Sequence, residues 1–193
     1  MEQEELLSGQ DGLQIIQKMI NQAKQQYSDN SFNYLLWGWL VFIASLGHYT
    51  LAQTGFSRPD VMWILMPVGA IITFIYNSRR RKTEAVRTYV DEFIKYVLIA
   101  FLVCLCIVLF NMGKLQLNCY PMIMMIYGMW LFISGSALKF RPIVIGGIAN
   151  WIIAVISIYV DFDSQLLLLA LAVLAGYIIP GYMLSHHYKK SQQ

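Results

Sequence analysis

His186 and His187, Asp161 and Asp163, Cys104 and Cys106, and the isolated His48 are the residues whose types could do chemistry in this chain. Two histidines hold a metal when both reach one point, which on a helix requires i,i+4 spacing. His186 and His187 are adjacent, so they project to different helix faces and fail that requirement. Cys104 and Cys106 lie in an apolar run, and Cys119 is the only other cysteine. Three cysteines so placed form neither a disulfide framework nor a ligand set, and they read as small packing residues. Asp161 and Asp163, in YVDFDS, form a turn without the further oxygen ligands of a calcium loop. No nucleophile stands beside a base, and no glycine-rich phosphate loop or catalytic carboxylate pair is present. The expectation is a protein that is not an enzyme, with no catalytic residue, cofactor or metal.

The elements that must carry these residues follow from composition. Of 193 residues, 58% are hydrophobic and only 13% charged, where a soluble domain has about a quarter charged. Mean hydropathy is +0.53. A soluble core cannot bury that much apolar sequence, so the bilayer is the solvent the composition calls for. The chain opens acidic and glutamine-rich, and its first long apolar run begins near residue 32. That run lacks the build of a cleaved signal and is expected to stay as the first span.

A hydrocarbon core takes about 20 apolar residues per helix. Six spans are predicted: Phe32–Leu51, Val61–Tyr76, Tyr96–Asn111, Tyr120–Leu138, Ile143–Val160 and Leu166–Leu184. The second and third are short and borrow flanking residues, and LKFRP between the fourth and fifth implies a tight helical hairpin. The fold class is all-α, a polytopic transmembrane bundle. Residues 1–31 form an N-terminal cytoplasmic segment, 32–184 the bundle and 185–193 a cytoplasmic tail. Lys and Arg collect on cytoplasmic loops. With the N-terminus inside, Lys18, Lys24, Arg79, Arg80, Arg81, Lys82, Arg87, Lys95, Lys139, Arg141, Lys189 and Lys190 share that side, leaving only Arg58 and Lys114 outside. Reversal would invert the bias, so both termini are predicted cytoplasmic.

Between the span ends there is no Asp, Glu, Lys or Arg. Proton relays and ion-coupled carriers place such groups inside the membrane despite their cost. His48, near the outer end of the first span, reads as an interfacial hydrogen-bonded group rather than a titrating switch. Asn150 reads as an interhelical contact. Gly38, Gly128 and Gly176, with Gly69, Gly146 and Gly147, allow close helix approach. That serves internal packing first, a homo-oligomer or a substrate path second. Pro67 in the second span and Pro180 in the sixth are expected to kink their helices.

Two segments face the cytoplasm. In DGLQIIQKMINQAKQQY, Asp11 and Gln14 resemble a capping box, and Leu13, Ile16, Met19, Ile20, Ala23 and Tyr27 share one face. A helix over about 11–27 would lie on the inner leaflet, with Lys18 and Lys24 toward anionic headgroups, or dock on a protein partner. The block Arg79, Arg80, Arg81, Lys82 is a topology signal and a second candidate for anionic lipid headgroups. It is too short and too close to the membrane to imply nucleic acid. Val86, Tyr89, Val90, Phe93 and Val97 recur at helical spacing, which predicts a helix from about residue 83 into the third span.

One apolar phrase occurs twice. WGWLVFIASLG precedes Arg58-Pro59, and YGMWLFISGSALKF precedes Arg141-Pro142. Two halves of three spans must insert in opposite senses, so a true repeat would be a 3+3 inverted repeat of the kind many transporters use. The alternative is a shared local need for close approach and for Pro at a helix start.

SFNYLLWGWLVFIASL, KFRPIVIGGIANWIIAV and AGYIIPGYML resemble a group of small six-span bacterial inner-membrane proteins without an assigned activity. The resemblance implies a bacterial inner membrane and brings no chemistry. LFISG is similar to six-span bacterial acid-resistance membrane proteins, and no function is carried over from it. The function expected is a membrane scaffold or regulatory partner acting through helix packing. The alternative is a small transporter for a neutral or lipid-like substrate.

Overall fold

A computed structural model describes residues 31–80 and 89–190. Every regular element among them is helical. Helix α1 spans Ser31–Gln53. A 3-10 turn, Pro59–Ile64, leads into α2, Leu65–Arg80. Next come α3 (Tyr89–Phe110), a one-turn α4 (Met112–Leu115) and α5 (Cys119–Ala137). Then α6 (Arg141–Ser157) precedes α7 (Phe162–Val173), which passes through a π turn, Leu174–Ile178, into α8 (Ile179–Lys190). Counting α7 to α8 as one rod, the bundle has six long helices among the described residues.

Five stretches are long and apolar enough to cross a membrane, and α6 is a shorter apolar helix of 17 residues. Their outward faces are apolar: Phe74 is 73% exposed and Phe110 88%. A soluble monomer does not show contiguous apolar surface on that scale. The chain is a membrane-embedded helical protein.

Helix α5 is the hub. The antiparallel helices α6, α3 and α1 pack against it, together with the π turn of the parallel α7–α8 rod. Tyr34 of α1 donates to Ser134 Oγ of α5 at 2.7 Å, and Phe101 of α3 lies 6.0 Å from the Tyr127 ring. Helix α1 also runs against α7 and α8, where Ser45 donates to the Leu166 carbonyl at 2.5 Å and Gln53 to Asp163 at 3.0 Å. Helix α2 packs on α1 through Phe32 and Tyr76, whose rings stack at 4.2 Å.

The duplicated phrase has a local explanation. Helix α1 ends where Gly55, at φ 72°, donates to the Ala52 carbonyl and Phe56 to Leu51. Helix α5 ends likewise: Lys139, at φ 53°, donates to Ser136 and Phe140 to Gly135. Both are Schellman caps with Phe after the left-handed residue. Proline then opens the next helix, at Pro59 and at Pro142. Packing does not follow the repeat. Gly38 faces the π turn whereas Gly128 faces α6, and α2 with α3 forms no packed pair like α6 with α8 among the described residues. The shared phrase is a capping device used at both ends of the bundle.

Pro67 stands just after the change from 3-10 to α geometry in the second span. It is the third residue of α2, which continues directly from the 3-10 turn. It is exposed.

Candidate functional site

Asn150 is fully buried in α6. Its amide nitrogen donates to the Gly146 carbonyl on its own helix at 2.9 Å and to the Ala172 carbonyl on α7 at 3.0 Å. Its carbonyl oxygen has no protein partner. In apolar surroundings such a contact is worth about 1 kcal/mol, because the unfolded chain in lipid also finds partners.

Backbone approach around Asn150 requires the absence of Cβ atoms. A Cβ on Gly146 would stand 2.7 Å from Gly176 Cα. One on Gly147 would stand 2.8 Å from the Gly128 carbonyl, and one on Gly128 would stand 2.9 Å from the Gly147 carbonyl. The adjacent pair Gly146-Gly147 thus turns one residue toward the π turn and the other toward α5. Trp151 closes the α5 side, donating from Nε1 to the Met125 carbonyl at 3.1 Å and packing 5.4 Å from the Phe132 ring.

The π turn has an identifiable cause. Pro180 has no N–H, and its ring crowds the carbonyl four residues back, that of Gly176. The backbone widens, and the Ile179 N–H reaches back to Leu174. Widening presents Gly176 to both Gly146 and Asn150. Gly38 of α1 sits on the other side, where a Cβ would meet Tyr177 and Ile178 at 2.9 Å.

Gly38, Asn150, Gly176 and Pro180 therefore converge on the π turn, with Gly128 one helix away across Gly147. Pro67 does not join them. Arg79 and Arg80 close α2 at the opposite end of that helix from Pro67. Arg81, Lys82, Lys18, Lys24 and the helix proposed over 11–27 lie outside the described residues.

Sequence reasoning missed three features. Tyr34, Tyr127 and Tyr177 meet beside the π turn, with ring centroids 6.0 and 5.6 Å apart around Tyr177. Ser134 links Tyr34 to α5, donating in turn to the Trp130 carbonyl at 2.6 Å. Gln165, fully buried at the start of α7, donates to the Ser157 carbonyl at 3.0 Å and ties α7 to the end of α6. A polar residue one step outside an apolar run was the available signal for Gln165.

At the other end of α1, His48 is buried and accepts at Nδ1 from Trp63 Nε1 at 2.9 Å. The His48 and Tyr120 rings flank Phe162, so this cluster joins the ends of α1, α5 and α7 with the 3-10 turn. Asp161 caps α7, accepting from the Ser164 amide at 3.1 Å and its hydroxyl at 2.8 Å. Those bonds hold its carboxyl below the usual aspartate value. Arg58 and Asp60 form the one ion pair among the described residues, at 3.4 Å and well exposed, a geometry worth little. No group of three metal-ligating side chains occurs among the described residues.

Comparison with protein-family models, curated proteins and solved structures finds no match to this chain.

Proposed function

We propose that the protein is a non-catalytic membrane scaffold or regulatory partner, held in a bacterial inner membrane with both termini cytoplasmic. The observation that carries this reading is the use made of its special residues. Gly146-Gly147, Gly128, Gly176 and Asn150 are consumed in sealing the α5–α6–π-turn seam. The apolar faces of α2 and α3 stay largely uncovered, with only 6% of each most apolar stretch buried. Helices so exposed are free to meet lipid or neighbouring helices. The working surface toward the cytoplasm is residues 11–27 with the basic stretch at 79–95. Orientation rests on the excess of Lys and Arg at that end.

One observation favours a second reading, a small transporter or permeation protein for a neutral solute. The Asn150 carbonyl is buried without a partner beside a π turn, a pairing found at functional sites. Purified protein in liposomes distinguishes the two. The scaffold reading expects glycerol and urea to cross no faster than in protein-free vesicles. It also expects removal of residues 1–30 to leave the bundle folded while a co-purifying protein is lost. Solute flux that disappears in Asn150→Ala would overturn the scaffold reading.

A further inference from the structure

An open apolar groove of about 630 Å³ lies between α3 and α5, with Lys114 and Leu115 of α4 also in its lining. Cys104, Ile107 and Val108 of α3 form one wall and Met122 and Met125 of α5 the other, and Lys114 is on the lining. Ile107, Met122 and Met125 are exposed, so the groove is open to the surface where lipid chains run.

Among the described residues Lys114 has no anionic partner. Three acids lie at this end of the bundle among the described residues, and each is engaged elsewhere. Asp60 pairs with Arg58, Asp161 caps α7 through Ser164, and Asp163 accepts from Gln53. Two carbonyls in the last turn of α3, those of Ile107 and Val108, accept from Asn111. Asn111 donates to Ile107 through both its backbone and its side chain, at 3.2 and 2.8 Å. The Lys114 and Leu115 amides bond the Asn111 carbonyl at 2.9 and 3.0 Å. An ammonium group on the lining of an apolar furrow, with the nearby acids engaged elsewhere, is complementary to an anion attached to a hydrocarbon chain.

We propose that this groove binds an anionic phospholipid, one acyl chain lying between α3 and α5 and the phosphate on Lys114. The site is in the leaflet opposite Arg79 and Arg80 at the end of α2, and Lys114 is the unpaired cation there among the described residues. Attraction by one basic residue makes anionic over zwitterionic lipid a preference of about fivefold.

The experiment uses the full chain in phosphatidylcholine vesicles doped with a phosphatidylglycerol carrying a photoreactive acyl chain. Adducts are mapped by peptide mass spectrometry, with the matching phosphatidylcholine probe as control. Adducts should concentrate on Cys104, Met122 and Met125. They should fall about fivefold in Lys114→Glu and with the control probe, and persist in Lys114→Arg. Met125→Trp, which fills the groove, should remove them without altering the adducts on α2. Even labelling around α2 and α3, equal for both probes and unmoved by Lys114→Glu, would mean bulk lipid only and would overturn the proposal. Disulfide-linked dimers through Cys104, in a variant with Cys106 and Cys119 replaced by Ser, would show a second copy as the occupant and overturn it equally.

Discussion

At Asn150 the energetic ledger is short. Two donated bonds to carbonyls favour the folded bundle, while the unpartnered carbonyl opposes it. Asn150→Ala removes both terms and leaves a small void, so a loss of about 1 kcal/mol is expected in detergent unfolding. Asn150→Asp should be worse, because a carboxylate would face two carbonyl oxygens with nothing to donate. An alanine variant as stable as the parent would show that the two bonds contribute nothing net. Asp161 allows a different measurement because it lies outside the spans. Its folded value is depressed below the ordinary 3.8 by the Ser164 bonds. Its contribution is therefore complete at neutral pH and disappears as pH falls through the lower folded value. The melting temperatures of the parent and Asp161→Ala should differ at pH 7 and converge as pH drops below 3.8. A gap that stays constant with pH would remove the carboxylate from the explanation.

Caps separate what a sequence shows from what it hides at the scale of elements. Gly55 fills the left-handed position after α1 at no steric cost, but α5 places Lys139 in the same conformation. A side chain there costs about 1 kcal/mol, so Lys139→Gly should raise stability by roughly 0.5–1 kcal/mol, read as a later unfolding midpoint. A drop instead would mean that the Lys139 side chain makes a contact outweighing its strain. The tight LKFRP hairpin was legible because Pro142 has to open a helix and the intervening segment is too short for anything but a turn. Convergence on the π turn was not. Pro67 and Pro180 look alike in the sequence, yet one follows a 3-10 turn and the other a run of α geometry, and only the second has a π turn before it. Gln165 escaped notice because hydropathy starts the sixth span at Leu166, while burial of its amide depends on the Ser157 carbonyl from another helix. The three tyrosines are unremarkable along the chain, since which helix faces meet is decided by tertiary packing.

For the whole molecule, the absence of formal charge between span ends and the uncovered apolar faces have one origin, a solvent that stabilises hydrocarbon and penalises ions. Direction across that solvent is encoded separately, by where the cations fall. Geometry brings both ends of the described chain to one end of the bundle: Tyr34, near the start of α1, bonds Ser134, near the end of α5, and Phe140 lies 6.1 Å from the His187 ring. Gly55, the Pro59–Ile64 turn, α4 and Asp161 occupy the other end. An even number of crossings makes that pairing necessary, and the basic bias decides which end faces the cytoplasm. The decision can be read with a cysteine-free variant carrying Ser57→Cys or Lys139→Cys, both at exposed positions in the two opposite turns. A maleimide that cannot cross membranes, added to intact cells, should label Ser57→Cys at once and Lys139→Cys only after permeabilisation. The reverse pattern would place Arg58 and Lys114 inside, against the attraction that retains basic residues in the cytoplasm. Equal labelling of both would mean that the chain inserts in two directions. In that case Lys139, Arg141 and the basic run after α2 would be too weak a signal to fix the bundle, and an identical surface would face each leaflet in different copies.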